Sequence, residues 1–221
     1  MNESNNVPDV AVVLLSGGID STTLLFLLAE RMGVRSLYAM SFCYGQKHSR
    51  ELEMARWQAG KAGVTEHREI DLSLLAPLVA GATALTDPAM AIPDLVDLKG
   101  EELRQPPTYV PNRNTILLSI SAAYAEARGI RDVFYGAQAQ DAYGYWDCTS
   151  EFVGRINDLF ALNRRNHVRV HAPFAGMSKT AIVALGRQMG VDYSHTWSCY
   201  RGGPEACGTC PSCVERNKAL L

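Results

Sequence analysis

The chain of 221 residues has little of what marks membrane, nucleic-acid-binding or secreted proteins. It contains no run of about 18 apolar residues, so the sequence predicts neither a membrane-spanning helix nor a membrane partner. Its 21 Lys and Arg nearly balance its 23 Asp and Glu, for a formal net charge of −2. This balance argues against a broad nucleic-acid-binding face. Residues 1–9 are polar and unlike a signal peptide, so we expect a disordered N-terminus and a cytoplasmic protein.

The chain has six cysteines, and disulfide bonds between them are not expected, because cytoplasmic thiols stay reduced. Reduced cysteines in such number indicate metal binding or a chemical role. Three of them form C-G-T-C-P-S-C near the end of the sequence, with a fourth shortly before. Two residues between cysteines let both sulfurs reach one ion, and four thiolates complete a tetrahedral shell. The pattern predicts a closed zinc site with a folding role, held by Cys199, Cys207, Cys210 and Cys213. A 4Fe–4S cluster is the main alternative, and disulfides fit less well.

The first glycine turn of the chain lacks the lysine that a Walker A loop would place after its glycines. The turn is Ser16-Gly17-Gly18-Ile19-Asp20-Ser21, between a β-branched apolar run and a helical apolar stretch. Backbone N–H groups at such a turn, together with the helix N-terminus, bind phosphate. We therefore expect a pyrophosphate held by backbone N–H groups, Ser16, Ser21 and Thr22, with attack at the α-phosphate. An ordinary glycine turn with a helix cap is the alternative.

Strand and helix signals alternate along the chain, which predicts an α/β fold with a doubly wound, parallel, five-stranded, Rossmann-like sheet. The predicted strands are Val10–Leu15, Ser36–Phe42, His67–Ile70, Asp132–Tyr135 and His167–Val170. The predicted helices are Ser21–Met32, Lys47–Lys61, Arg113–Arg128, Ser150–Asn163 and Lys179–Met189. We expect a main domain over residues 10–195 with a long insertion at 71–109, and a small four-cysteine element at 196–221. The proline-rich insertion suits either a lid or a partner contact.

Three motifs follow strands and are expected to face one crevice, because ligands bind at the carboxyl ends of parallel strands. The first is Tyr44-Gly45-Gln46-Lys47-His48, beside a strand end around Ala39 to Ser41 that would read adenine. The second is Tyr109-Val110-Pro111-Asn112-Arg113-Asn114, which opens an apolar helix and places Arg113 and Asn114 to bind a carboxylate or phosphate. Alternatively, each motif is a polar or capped helix start.

The third motif spans residues 136–141 and 144–152 and carries carboxylates and aromatic rings. Such a loop suits a flat, hydrogen-bonding heterocycle. Asp147 or Glu151 would accept bonds from a guanine-like N–H and exocyclic amine, and Tyr145 or Trp146 would stack on the ring. The alternatives are core packing for the aromatic residues and an exposed helix start for the acids.

The S-G-G-x-D-S loop resembles the signature of the N-type ATP pyrophosphatases, the PP-loop superfamily. In the order S-G-G-x-D-S, Y-G-Q-x-H, V-P-x-R-N, G-Y-x-D-C-x-x-E-F and four terminal cysteines, the chain closely resembles the 7-cyano-7-deazaguanine synthase family. The resemblance implies an adenine nucleotide alpha hydrolase-like fold, with ATP, Mg²⁺ and structural Zn²⁺ as cofactors. It implies that 7-carboxy-7-deazaguanine and ammonia become 7-cyano-7-deazaguanine in queuosine biosynthesis, and that the protein is a homodimer.

Site residues follow from the same resemblance. It implies catalytic roles for Asp20, Lys179 and Arg113, with Lys179 supplying the positive charge that the loop lacks. A solvated lysine without a role is the alternative for Lys179. Substrate binding is expected of Arg113, Asn114, Tyr145, Asp147 and Glu151. ATP binding is expected of Leu15, Ser16, Gly17, Gly18, Ile19, Asp20, Ser21, Thr22, Thr23, Leu24 and Leu25.

Two residues depart from the family pattern, which commonly reads G-Y-P-D-C-R in the third motif. Trp146 replaces the proline and Thr149 replaces the arginine, so the substrate pocket or the acceptor amine is expected to differ. One alternative is therefore an enzyme that stops at an amide, joining the deazaguanine carboxylate to another amine, for example on a protein. A tRNA-modifying PP-loop enzyme and a non-enzymatic zinc module are less favoured alternatives.

Overall fold

The structure of the protein is a computed structural model that describes residues 7–47, 50–139, 141 and 144–221. Its strands are β1 (Val10–Leu14), β2 (Ser36–Cys43), β3 (Glu66–Asp71), β4 (Asp132–Phe134) and β5 (Arg169–His171). Its helices are α1 (Ile19–Phe26), α2 (Arg50–Ala62), α3 (Leu75–Leu78), α4 (Glu101–Arg104), α5 (Arg113–Ala127), α6 (Ser150–Phe160), α7 (Lys179–Gln188) and α8 (Pro211–Leu220). The described part of the chain contains no helix with the length and apolarity to span a bilayer.

The five strands form one parallel sheet in the order β3-β2-β1-β4-β5. Val13 of β1 pairs with Ala39 on one side and with Phe134 on the other. The chain moves outward from β1 through β2 to β3 and then returns to the other side of β1. The order therefore reverses between β1 and β4, where a parallel sheet opens a crevice for ligands. This topology confirms the predicted α/β fold.

The central strands β1 and β2 are buried on both faces, because helices pack against each side of the sheet. On one face Val12 packs with Leu118 of α5 and Ile156 of α6. On the other face lies a second apolar cluster from β1, α1, α2 and α7, which includes Ala11, Val13, Leu24, Ala55 and Ile182. Helices therefore cover both faces of the sheet, as the predicted double winding requires.

Several predicted boundaries were displaced. The first helix begins earlier than expected, at Ile19, and its last turn over Leu27–Arg31 is a wider π-helical turn. The last strand begins two residues later than predicted, because its pairing with β4 aligns Asp132 with Arg169. The second helix begins at Arg50 rather than at residue 47. His48 of the first motif lies outside the described residues.

The segment 71–109 lies against the cysteine-bearing end of the chain. The amide N–H of Leu95 donates to the carbonyl oxygen of Thr209 at 3.0 Å. The Arg201 guanidinium donates to Asp94 Oδ1 at 2.7 Å and to the carbonyl oxygen of Ile92 at 3.0 Å. The segment therefore braces the element at 196–221, an arrangement that the sequence does not reveal. The domain boundaries themselves stay predictions, and residues 1–6 of the expected disordered N-terminus lie outside the described residues.

Gly17 lies in unusually close contact with helix α2. Its φ of +81° belongs to the left-handed region, and a Cβ atom built there would lie 2.1 Å from the carbonyl oxygen of Glu51. The same atom would lie 2.8 Å from the amide nitrogen of Ala55. Because both neighbours are backbone atoms, no side-chain movement can make room. Glycine is the residue that permits this approach between the turn and α2.

We predict that Gly17→Ala lowers the free energy of unfolding by more than about 2 kcal/mol, because the new methyl group meets backbone. Gly33→Ala is the matched control, since Gly33 also has positive φ, +70°, but would place its Cβ in open space. The control should lose only about 1 kcal/mol, the conformational cost. Urea denaturation of both variants measures the difference. Equal losses would contradict the steric account.

Candidate active site

A cavity of about 240 Å³ opens where the strand order reverses. The first glycine turn forms one wall and the residues after β4, including Tyr135 and Gly136, form another. The start of α5 and the cysteine-bearing end of the chain close the remaining sides, through Arg113 and Tyr200. The cavity thus joins segments that are far apart in the sequence, as expected for the ligand site of a doubly wound sheet.

Hydrogen bonds to the Ser21 hydroxyl connect the two ends of the glycine turn. Ser21 Oγ accepts from the Ser16 amide at 3.1 Å and lies 3.0 Å from Ser16 Oγ. Helix α1 begins after Gly18, an N-cap residue that has no side chain to cap the helix. A Cβ on Gly136 would lie 3.1 Å from the Ser21 amide nitrogen, so the segment after β4 approaches this helix end closely. A helix start whose first residues line a cavity fits the backbone binding of a phosphate.

The predicted ATP-binding residues divide into two sets. The residues that line the cavity are Leu15, Ser16, Gly18, Ile19, Asp20 and Ser21. The remaining residues do not line it: Gly17 contacts α2, and Thr22, Thr23, Leu24 and Leu25 are buried within the fold. Thr23 Oγ1, for example, lies 2.7 Å from Tyr193 Oη. For both sets the predicted ATP contact stays a prediction, and the geometry supports it for the first set alone.

Lys179, the first residue of α7, points at the glycine turn. Its Nζ lies 3.3 Å from Asp20 Oδ2 and 3.1 Å from Glu215 Oε2. Burial alone would lower the pKa of Lys179, but the charges of Asp20 and Glu215 outweigh it and raise that pKa. The lysine is therefore charged at neutral pH. The structure brings together two of the predicted catalytic residues, Asp20 and Lys179, beside the glycine turn.

Burial raises the pKa of two carboxyl groups near this lysine, those of Asp20 and Asp141. Burial raises the pKa of Asp20, and the nearby Lys179 only partly offsets the shift. Burial also raises the pKa of Asp141 to about 6, again opposed by Lys179. Asp20 Oδ1 is buried and has no hydrogen-bond partner among the described residues. Such an oxygen fits a ligand to Mg²⁺, which favours carboxylate oxygens.

Arg113 lies at the N-terminus of α5 and lines the cavity. Its Nη1 donates to Tyr44 Oη at 3.4 Å, and its Nε to Asn114 Oδ1 at 3.4 Å. Burial opposes its charge, but Tyr44 and Asp147 act in the other direction, and the pKa of Arg113 is raised. Burial raises the pKa of Tyr44 to about 12, so its phenol stays neutral. A charged guanidinium at a helix N-terminus is well placed to bind a carboxylate.

The other predicted substrate residues lie at different depths. Tyr145 and Asn114 line the cavity. Asp147 lies behind it, where its Oδ2 accepts from the Asn114 amide at 3.1 Å, and burial raises its pKa. Glu151 does not line the cavity. Its exposed side chain lies 3.8 Å from Arg155 on α6, so the geometry lends its substrate-binding role no support and that role stays a prediction.

The four clustered cysteines meet at one point. Their sulfur atoms all lie within 4.8 Å of one another, and Cys207 Sγ is 3.9 Å from Cys213 Sγ. Four thiolates around zinc, each about 2.3 Å from the ion, would have sulfur atoms about 3.8 Å apart. The amide of Cys210 donates to Cys207 Sγ at 3.4 Å, which suits a charged sulfur. The donor set fits a closed structural metal site.

Comparison with known proteins identifies the family. The profile described as "Queuosine biosynthesis protein QueC" matches residues 10–221. The chain belongs to the QueC family. It is 44% identical over 214 residues to a 7-cyano-7-deazaguanine synthase from Polynucleobacter asymbioticus, covering 92% of this chain and 84% of that protein. It is 47% identical over 210 residues to the synthase of the same name from Cupriavidus necator, covering 92% and 88%.

The fold of this QueC family member is also found in a solved structure, that of NMN synthetase from Francisella tularensis. The two superimpose with a TM-score of 0.54 at 15% sequence identity, covering 92% of this chain and 71% of that one. At this identity the likeness concerns the fold alone. It agrees with the α/β architecture predicted from the alternating pattern.

Several residues of this QueC family site were not predicted. Glu215 contacts Lys179, and Trp197, Ser198, Tyr200 and Ser212 line the cavity. All five belong to the cysteine-bearing end, which we expected to serve folding only. The amide of Trp197 also donates to the carbonyl oxygen of Gly17 at 2.9 Å. The only sequence signal was their position beside the metal-binding pattern, which did not indicate contact with the first turn.

Cys210→Ser should lose bound zinc and unfold at lower temperature, because a closed four-thiolate site contributes its metal-binding energy to folding. We expect one zinc ion per chain in the unsubstituted protein and a loss of several kcal/mol in the variant. Cys43→Ser is the control, since Cys43 ends β2 and is not part of the cluster. Metal analysis and thermal melts measure both effects. Iron in place of zinc, or full occupancy in Cys210→Ser, would contradict the assignment.

Proposed function

We propose that this chain is an ATP-dependent enzyme that converts 7-carboxy-7-deazaguanine and ammonia into 7-cyano-7-deazaguanine, a reaction of queuosine biosynthesis. Membership of the QueC family and relatives named as 7-cyano-7-deazaguanine synthases support the reaction. The observation that carries it in the structure is the uncapped turn of α1 facing Lys179 and Asp20 in the same cavity as Arg113. This arrangement supports a proposal in which pyrophosphate and the substrate carboxylate bind in one cavity.

The first step transfers AMP to the substrate acid. A carboxylate oxygen attacks the α-phosphorus of ATP, the bond to the β-phosphate oxygen breaks, and pyrophosphate leaves. In this proposal the backbone of residues 16–21 and the Lys179 ammonium hold the departing pyrophosphate. Arg113 holds the carboxylate beside the α-phosphate. The acid becomes a mixed anhydride whose leaving group, AMP, is a good one.

Ammonia then completes the chemistry in two stages. It attacks the anhydride carbon, AMP departs with one former carboxylate oxygen, and the amide forms with loss of one proton. The amide oxygen next attacks the α-phosphorus of a second ATP, and pyrophosphate leaves again. Loss of the second AMP and two protons from nitrogen leaves the nitrile. Both carboxylate oxygens thus depart on AMP, and no nucleophilic side chain is required.

The cofactor roles in this proposal follow from the donor groups. The unpartnered Asp20 Oδ1 would hold Mg²⁺, which neutralises phosphate charge. The four cysteines would hold structural Zn²⁺ and keep Trp197 and Tyr200 in the cavity wall. Assembly as a homodimer and a cytoplasmic location are further parts of the proposal, and both come from sequence reasoning alone.

The amide-forming alternative is less favoured, because the relatives are named for the cyano product. A protein acceptor has no observation in its support. The tRNA-modifying alternative called for a basic surface, which the net charge of −2 does not favour.

The reaction products test the proposal directly. Incubation with 7-carboxy-7-deazaguanine, ATP, Mg²⁺ and ammonium should yield the nitrile with two AMP and two pyrophosphate for each nitrile formed. Mass spectrometry and nucleotide chromatography measure these products. Accumulation of an amide that never dehydrates would favour the alternative, and release of ADP with orthophosphate would reject the α-phosphate chemistry.

Lys179→Ala should lower kcat on the order of 10²-fold, because one preorganised charge on the leaving pyrophosphate is lost. Lys218→Ala is the control, since it removes a lysine from the exposed side of α8. Pyrophosphate release measures both variants, and circular dichroism checks that each is folded. A folded Lys179→Ala variant with unchanged kcat would remove this lysine from the mechanism.

A further inference from the structure

Trp146 is half exposed, at 47% of its surface, yet its indole ring is fixed. Its Nε1 donates to Tyr109 Oη at 2.8 Å, and the ring meets Phe152 edge-on at 5.5 Å between centroids. Trp146 does not line the cavity. Trp146 is thus a large aromatic residue that is fixed by a hydrogen bond just outside the cavity.

The hydroxyl of Tyr109 connects Trp146 to the start of α5. Tyr109 Oη accepts a second bond, from the amide of Asn112, at 3.1 Å. A phenol oxygen has two lone pairs, so it can accept from both the indole and the amide. Because the Tyr109 side chain is buried, the oxygen is a fixed anchor. One atom therefore ties the Trp146 ring to the backbone immediately before Arg113.

Asn112 has an uncommon backbone conformation. Its φ is +54°, and among the described residues it is the single non-glycine residue with positive φ. Such a conformation costs conformational free energy, so it persists only where surrounding contacts fix the backbone. The turn at Asn112 sets the direction in which α5 begins, and Arg113 is the first residue of that helix. A loosened Asn112 would therefore move the Arg113 guanidinium.

The short 3-10 turn Trp146–Cys148 also holds α5 from a second point, since Asp147 Oδ2 accepts from the Asn114 amide. Thr149 stabilises this 3-10 turn. Its Oγ1 donates to the carbonyl oxygen of Trp146 at 2.9 Å and accepts from the Phe152 amide at 3.1 Å, capping α6. The two residues that depart from the family pattern thus belong to one connected set of hydrogen bonds.

We propose that Trp146 is a positioning residue of the substrate site: through Tyr109 Oη it fixes the Asn112 turn that directs Arg113 into the cavity. The role in catalysis rests on the proposed function, in which Arg113 binds the substrate carboxylate. The physical link from Trp146 to Asn112 stands on the geometry alone. The two parts can therefore be measured separately.

The first experiment needs no substrate. Trp146→Phe keeps an aromatic ring and removes the indole N–H. We expect amide hydrogen exchange in the segment 109–114 to become about three- to tenfold faster, the equivalent of one lost hydrogen bond. Trp57→Phe is the matched control, because Trp57 stacks on His195 at 3.9 Å between centroids and does not line the cavity. Unchanged exchange in Trp146→Phe would overturn the proposal, whatever reaction the enzyme performs.

The second experiment uses steady-state kinetics. Trp146→Phe should raise KM for 7-carboxy-7-deazaguanine about three- to tenfold and leave KM for ATP unchanged, because the phosphate turn is not touched. Tyr109→Phe should raise the same KM at least as much, since it removes both bonds to Oη. The double variant should be no worse than Tyr109→Phe alone.

The outcomes separate the two proposals. Faster exchange with an unchanged KM would overturn the positioning role while leaving the proposed reaction intact. A similar rise in both KM values together with a fall in kcat would show a general structural role. That result would also overturn the positioning role. Failure of the unsubstituted enzyme to use the acid would reject the proposed function, and the exchange measurement would then decide the Trp146 link alone.

Discussion

The site depends on the close approach of the first glycine turn to two distant parts of the chain. Gly17 lies directly against the backbone of α2, and its carbonyl oxygen accepts from the Trp197 amide. These contacts fix the turn from both sides. Within the turn, Ser21 Oγ accepts from the Ser16 amide at 3.1 Å and Ser16 Oγ accepts from the Gly18 amide at 3.3 Å. A preformed turn of this kind can hold a pyrophosphate with little reorganisation. Lys179 then adds the charge that the turn itself lacks.

The fold could be predicted from the sequence because its signals are local. The β-branched run at β1, the glycine turn and the apolar stretch of α1 are adjacent in the chain. The alternation of strands with helices implies that the strands run parallel. The position of Lys179 near the glycine turn could be anticipated only through family resemblance, and its ion pair with Asp20 became apparent only in the folded chain. The cysteine cluster was predictable because metal ligands have a fixed spacing.

What could not be predicted are contacts between segments far apart in the chain. Glu215 contacts Lys179 across 36 positions, and Trp197 contacts Gly17 across 180. No local pattern signals such pairs, because they depend on how the cysteine-bearing end packs onto the sheet. Trp146 is a third case. Its departure from the family pattern was visible, but its bond to Tyr109 became apparent only in the folded chain.

We propose above all that the substrate acid attacks the α-phosphate of ATP in this cavity. The most direct test follows the oxygen atoms of 7-carboxy-7-deazaguanine labelled with heavy oxygen in both carboxylate positions. If the account is right, every AMP formed with product carries one heavy oxygen in its phosphoryl group, detected by mass spectrometry. Unlabelled AMP, or heavy oxygen found in orthophosphate, would contradict it.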